Sequence, residues 1–217
     1  DRADMPVKPD LAALLKDYKG DASMAEGEVF EPTPTNLEQR VERYTLGNGM
    51  KVALLTKKTR GNTVQMALRI GYGDEKSLAG KSAIDELASA LMMRGAKGLS
   101  RQQIRDRMDA LRASGSVGMG GGSFQTKRQY ADHVLQLIAQ IYGTATFPAD
   151  ELEVVRKEYI TMLEESANDP DSLAQVAMER HFSHYPQGDW RYVPTIKEHI
   201  RMLKAVTRDQ IVRHVSS

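Results

Sequence analysis

"AGKSAIDELASALMMRGAKGLSRQQIRDRMDAL" occupies residues 79–111, and its reading decides the fold. Ile84, Leu87, Ala88, Leu91 and Met92 fall at i, i+3, i+4, i+7 and i+8, one apolar stripe of an amphipathic helix. Gly95 is placed to stop that helix. Ser100 and Gln103 then stand at capping-box spacing and open a second helix, with Ile104, Met108 and Leu111 on one face. Arg101, Arg105, Arg107 and Arg112, interleaved with Asp106 and Asp109, read as its solvated side.

Working outward, strands come first. "VERYTLGNGMKVALLTKK", residues 41–58, reads as two short strands around Gly47-Asn48-Gly49, residues that tolerate positive φ. "NTVQMALRIGYG" alternates Val64, Met66, Leu68 and Ile70, the period of a half-buried strand. These three neighbouring strands give way to the two helices. "SGSVGMGGGSFQ", residues 114–125, has too few large side chains for a helix and reads as closely approaching strand. The remainder is helical. Val134, Leu137, Ile138 and Ile141 form one stripe. Asp150 and Glu153 are placed to cap a helix through Leu152, Val155, Tyr159, Met162 and Leu163. "NDPDS" breaks it, and a further helix is expected over about 172–182. Thr195 with Glu198, and Thr207 with Gln210, mark two more starts. Strands, helices, strands, helices indicate an α+β layered domain.

Residues 1–40 differ. They carry Pro6, Pro9, Pro32 and Pro34, and only "DLAALLKDY" has helical spacing, through Leu11, Leu14 and Leu15. This composition suits a linker, with Pro32 and Pro34 enforcing extended backbone before the folded part. The chain begins "DRADMPVKPD", without an initiator Met, and reads as a piece of a longer protein.

Of the 217 residues, 41% are hydrophobic and 27% charged, as in globular proteins, and the formal net charge is +1. That balance gives no electrostatic case for nucleic acid. No apolar run approaches the roughly 20 residues of a membrane span. With no cysteine, disulfides, thiolate zinc sites and cysteine nucleophiles are excluded.

Zinc hydrolysis on a helix needs two imidazoles one turn apart and a carboxylate beside the bound water, as in H-x-x-E-H. Counting from Gly80 puts Ala83, Glu86 and Leu87 at the functional positions; counting back from Gly95 puts Glu86, Ser89 and Ala90 there. The first histidine of the chain is His133, so neither register supplies an imidazole. Leu87, Ala88 and Leu91 are expected in the core, with Asp85 and Glu86 solvated. His181 and His184 are the only histidine cluster; with His199 or Glu179 they are a weak alternative metal set against capping or surface roles. "GMGGGS" lacks the lysine and spacing of a phosphate loop. Trp190, in a polar turn, reads as an interface anchor or a lid over a small core, the lid being preferred.

Together these segments resemble the pitrilysin/insulinase family of zinc metallopeptidases, which includes the mitochondrial processing peptidases. "YTLGNGMKVALL" is similar to the family's opening hairpin and "NTVQMALRIGYGDE" to its next strand. Residues 79–111 resemble its zinc helix and the helix after it, and "SGSVGMGGGSFQTKRQY" its glycine-rich strand pair. "PADELEVVRKEYITMLEESANDPDSLA" and "HYPQGDWRYVPT" are similar to its long helix and following loop. The resemblance covers about residues 41–217. It implies a metallohydrolase fold of the processing-peptidase type, mostly antiparallel sheet with helices on one face.

Because the H-x-x-E-H histidines are missing, the resemblance implies a non-catalytic half-unit over 41–217, third of four in its parent, with 1–40 as the linker between halves. It assigns no catalytic residue, metal ligand or cofactor-binding residue here. The family's third zinc ligand would fall near Glu158, Glu164 or Glu165, and the zinc itself belongs to the parent's catalytic half. Implied partners are that half and a peptide or unfolded protein substrate, in the periplasm, with residues 115–123 in the place where the active half pairs with peptide. The alternative is a scaffold protein of the same fold with no active half.

Overall fold

The computed structural model describes residues 26–216, and the helical spacing at Leu11, Leu14 and Leu15 lies outside them. The chain divides into two compact units, one ending at Asn62 and one spanning Thr63–Ser217.

In the first unit, helix α1 (Pro34–Arg40) opens with Thr33 as N-cap and Pro34 in its first turn. The expectation of extended backbone at Pro34 is thus corrected: a proline at the first helical position loses no hydrogen bond, because that N–H has no intrahelical partner. Strands β1 (Val41–Thr45) and β2 (Lys51–Leu55) pair antiparallel, Val41 opposite Leu55. Gly49, at φ 84°, turns the chain between them, as the Gly-Asn-Gly signal predicts.

The second unit holds β3 (Thr63–Arg69). It pairs with β7 (Gly121–Lys127), and β7 pairs with β6 (Ser114–Gly118), all antiparallel, giving the order β3-β7-β6. The three strands expected ahead of the helices are present, and β3 finds its partner about sixty residues along, as the Gln65–Gln125 contact marks. The glycine run explains the closeness. A Cβ on Gly115 would lie 2.0 Å from the Ser123 carbonyl oxygen, and one on Gly121 2.0 Å from that of Leu68.

Met66 and Leu68 lie on the sheet face covered by helices, with Phe124 and Val117 buried beside them. Helix α2 (Glu75–Leu78) precedes α3 (Ser82–Leu91). Leu87, Ala88, Leu91 and Met92 are buried as expected, and Ile84 half-buried. Gly95 does not end α3. It starts β4 (Gly95–Ala96), which pairs with β5 (Leu99–Ser100), and a Cβ there would press on Pro148 and Thr146 at 2.8 Å. Helix α4 (Arg101–Ala110) has the Ser100–Gln103 capping box. Helices α5 (Ala131–Thr144) and α6 (Ala149–Ser166) complete the core with the Val134, Leu137, Ile138, Ile141 stripe, Leu152 and Val155. Pro148, not Asp150, is the N-cap of α6, and Asp150 sits in the first turn facing the helix dipole.

Helix α7 (Pro170–Phe182) is capped by Asp169 and buries no residue. Helices α8 (Ile196–Ala205) and α9 (Arg208–Ser216) end the chain, each behind its expected capping pair. Arg156 of α6 donates to the carbonyls of Leu203 and Val206, satisfying the end of α8. Among the described residues no helix is long and apolar enough to cross a membrane.

Candidate functional site

Helix α3 organises the polar chemistry of the second unit. Ala83 is 4% exposed and Leu87 fully buried, so the register counted from Gly80 aims into the core. The register counted from Gly95 faces outward: Glu86, Ser89 and Ala90 are half-buried, and Ala90 lines a cleft.

Asp85 and Glu86 are not the solvated pair expected from the sequence. The Tyr72 hydroxyl donates to Asp85 Oδ1 at 2.6 Å, and His214 Nε2 of α9 lies 3.3 Å from the same oxygen. Burial, then the bond to Asp85, pushes the Tyr72 phenol well above its ordinary range. Glu86 Oε2 meets His199 Nε2 of α8 at 2.6 Å. Burial, then the Glu86 charge, raises the Tyr159 phenol of α6. Two neighbouring carboxylates thus tie α3 to the last two helices. Nothing local could have shown this, because the partners lie 129 and 113 residues away.

One turn on, Arg94 donates to Glu151 Oε2 at 3.0 Å and Glu158 Oε2 at 2.8 Å, both on α6. Arg101 reaches the same Glu151 oxygen at 3.4 Å. Of the three glutamates considered as a metal ligand, Glu158 is held by this guanidinium, while Glu164 and Glu165 are exposed. Ser89 Oγ accepts the Met119 N–H at 3.1 Å, and the Val117 N–H points to Met93 Sδ at 3.4 Å. The edge of β6 is therefore closed at Val117 and Met119 by side chains from α3 and the turn after it.

The zinc that the resemblance implies does not fit these residues. The positions hold a carboxylate engaged with an imidazole, a hydroxyl engaged with backbone and a methyl group, and the nearby glutamate is neutralised by Arg94. No step through a metal follows for this chain. Among the described residues no group of three or more His, Asp or Glu is placed to hold a metal ion. The set of His181 and His184 with His199 or Glu179 is not assembled: His199 is engaged with Glu86, and His181 rests edge-on against Phe182. Trp190 is 47% exposed and so is not a lid. It stands beside Arg191, whose guanidinium lies 3.8 Å from the Tyr185 ring centroid and is held by Asp189.

A cleft of about 270 Å³ lies between α4 and the start of β6. Arg101 and Arg105 are among its lining residues; Arg105, Arg107 and Arg112 are exposed, as the reading of a solvated side expects, and Arg101 is half-buried. The signal was available: Arg101, Ile104, Arg105 and Met108 fall at i, i+3, i+4 and i+7, one face.

Neither protein-family models nor curated proteins match the sequence. Solved structures do. The peptidase M16 inactive domain from Pseudomonas fluorescens superposes with a TM-score of 0.61 at 18% identity, over 80% of this chain and 42% of that one. The chain shares the fold of that domain. A protease from Helicobacter pylori superposes with a TM-score of 0.64 at 18% identity, over 81% of this chain and 42% of that one. The periplasmic protease PqqL from Escherichia coli gives 0.60 at 16%, over 88% and 20%. This chain therefore spans less than half the length of each of these three structures. The mixed α and β architecture with antiparallel sheets, expected from the sequence, is the one these structures share.

Proposed function

We propose that this chain is a non-catalytic half-unit of a zinc metalloendopeptidase. It forms part of a chamber that encloses a peptide or unfolded protein and docks on the catalytic half, where the zinc resides. One observation carries the reading: the helix in the place of the zinc helix presents Glu86, Ser89 and Ala90, with Glu86 committed to His199. Support comes from the neighbours' names, an inactive M16 domain in one case and a periplasmic protease in another. The periplasm is the compartment proposed for the parent.

Metal analysis of the purified chain after dialysis, with a peptidase assay on quenched fluorescent peptides, tests the non-catalytic part. The expected result is far less than one zinc per chain and no hydrolysis. One zinc per chain, or hydrolysis that a chelator abolishes, overturns it. Docking is tested by mixing the chain with the separately expressed remainder of its parent; elution of the two apart at micromolar concentration removes that part. A parent sequence without H-x-x-E-H leaves the scaffold reading in its place.

A further inference from the structure

We propose that the cleft between α4 and the start of β6 binds an acidic peptide in extended conformation, its carboxylate held between Arg101 and Arg105. The floor is apolar and sealed: Ile104 is 1% exposed and Met108 6%, with Met93 beside them. Methionine side chains adapt to ligands of different shape. The rim is cationic. Arg94, Arg101 and Arg105 line the cleft, and the carboxylates of Glu151 and Glu158 pair with the first two, which leaves one positive charge over. Arg94 is committed to both glutamates and Arg101 to one, whereas Arg105 has no ion-pair partner among the described residues. One turn of helix separates Arg105 from Arg101, so a single carboxylate entering there meets two guanidinium groups, the donor that suits it best.

The shape favours a chain over a small acid. A volume of about 270 Å³ is below the range for drug-sized ligands and suits one side chain with its flanks. The cleft also shares Ser114 and Gly115 with a second, of about 400 Å³, whose lining includes the uncharged Gln65, Ala67 and Gln125 of the sheet. An extended chain crossing at Gly115 occupies both. Because Met93 and Ser89 already take the N–H groups of Val117 and Met119, the contact belongs to the first residues of β6 and not to its full length.

The test is a fluorescence anisotropy titration of the 217-residue chain with amidated heptapeptides, their central glutamate or glutamine flanked by leucines. A third peptide is neutral apart from a free C-terminal carboxylate. Saturable binding of the glutamate peptide is expected, about tenfold weaker with glutamine and about tenfold weaker in Arg105→Gln. Arg213→Gln, outside the cleft lining, leaves it unchanged. Arg105 has no ion-pair partner to lose among the described residues, and an unaltered melting curve confirms that its variant folds. Weaker or no binding of the third peptide supports an acidic side chain as the source of the carboxylate; binding of the third peptide tighter than that of the glutamate peptide overturns that source in favour of a chain terminus. Equal affinity for glutamate and glutamine peptides, no effect of Arg105→Gln, or no saturable binding overturns the proposal. The cleft lies wholly within this chain, so the outcome is independent of whether any parent is a peptidase.

Discussion

Glu198 gathers more polar contacts than any capping rule asks of it. Its Oε2 accepts the Thr195 N–H at 2.8 Å, the Thr195 hydroxyl at 2.9 Å and the Tyr192 hydroxyl at 3.0 Å, with Arg180 at 3.7 Å. The Thr195 backbone bond, then the hydroxyl bonds and Arg180, hold its carboxyl below the ordinary value of 4.5. A carboxyl lowered on folding stabilises the fold above its unfolded value and loses that contribution as pH falls through the folded one. The melting temperature of Glu198→Gln should therefore lie below the parent's at neutral pH, and the gap should close as pH falls below 4.5. A gap that is constant with pH would refute the assignment. The capping box itself was legible as Thr195 and Glu198 three residues apart; Tyr192 and Arg180 were not, because no spacing rule joins a loop and a preceding helix to a cap. In the core, Leu87 is fully buried beside Ala88 and Leu91, and Leu87→Ala should cost about 2–5 kcal/mol by urea unfolding, with the m-value unchanged.

At the scale of elements, local signals carried far and long-range pairing did not. Periodicity marked α3, α4 and α5, and capping spacing placed the starts of α4, α8 and α9. These are properties of a few adjacent residues. The pairing of β3 with β7 depends on which surfaces the helices leave for a sheet, which no window of sequence contains. The glycines show the difference between composition and position. Gly121 has φ +121° and faces the Leu68 carbonyl, so Gly121→Ala must part β7 from β3. Gly120, its neighbour in the same run, would place a Cβ in open space. The expected loss is at least ~2 kcal/mol for Gly121→Ala and within about 0.5 kcal/mol for Gly120→Ala, read from denaturation midpoints. Equal losses would mean that the run is needed for flexibility and not for close approach.

Across the whole molecule, burial is unevenly shared, and stability should follow it. The core draws on α3, α4, α5, α6, α8 and α9, and Asp85 and Glu86 join α3 to the last two of these by hydrogen bonds. Helix α7 buries nothing, and Phe182 at its end is 74% exposed. In the β1–β2 hairpin, only Val41 and Val52 are even half-buried, and an isolated two-stranded sheet is marginal in water. Local opening costs little where few apolar contacts are lost. Native-state hydrogen exchange of the 217-residue chain should therefore find the amides of α3 and α5 exchanging only through global unfolding. Those of α7 and of the hairpin should exchange orders of magnitude sooner, with rates that do not fall as protein concentration rises. Protection of the hairpin equal to that of α3 would contradict this ordering. Protection that grows with concentration would show that copies of the chain cover Tyr44, Met50 and Leu54, whose side chains are otherwise about half exposed.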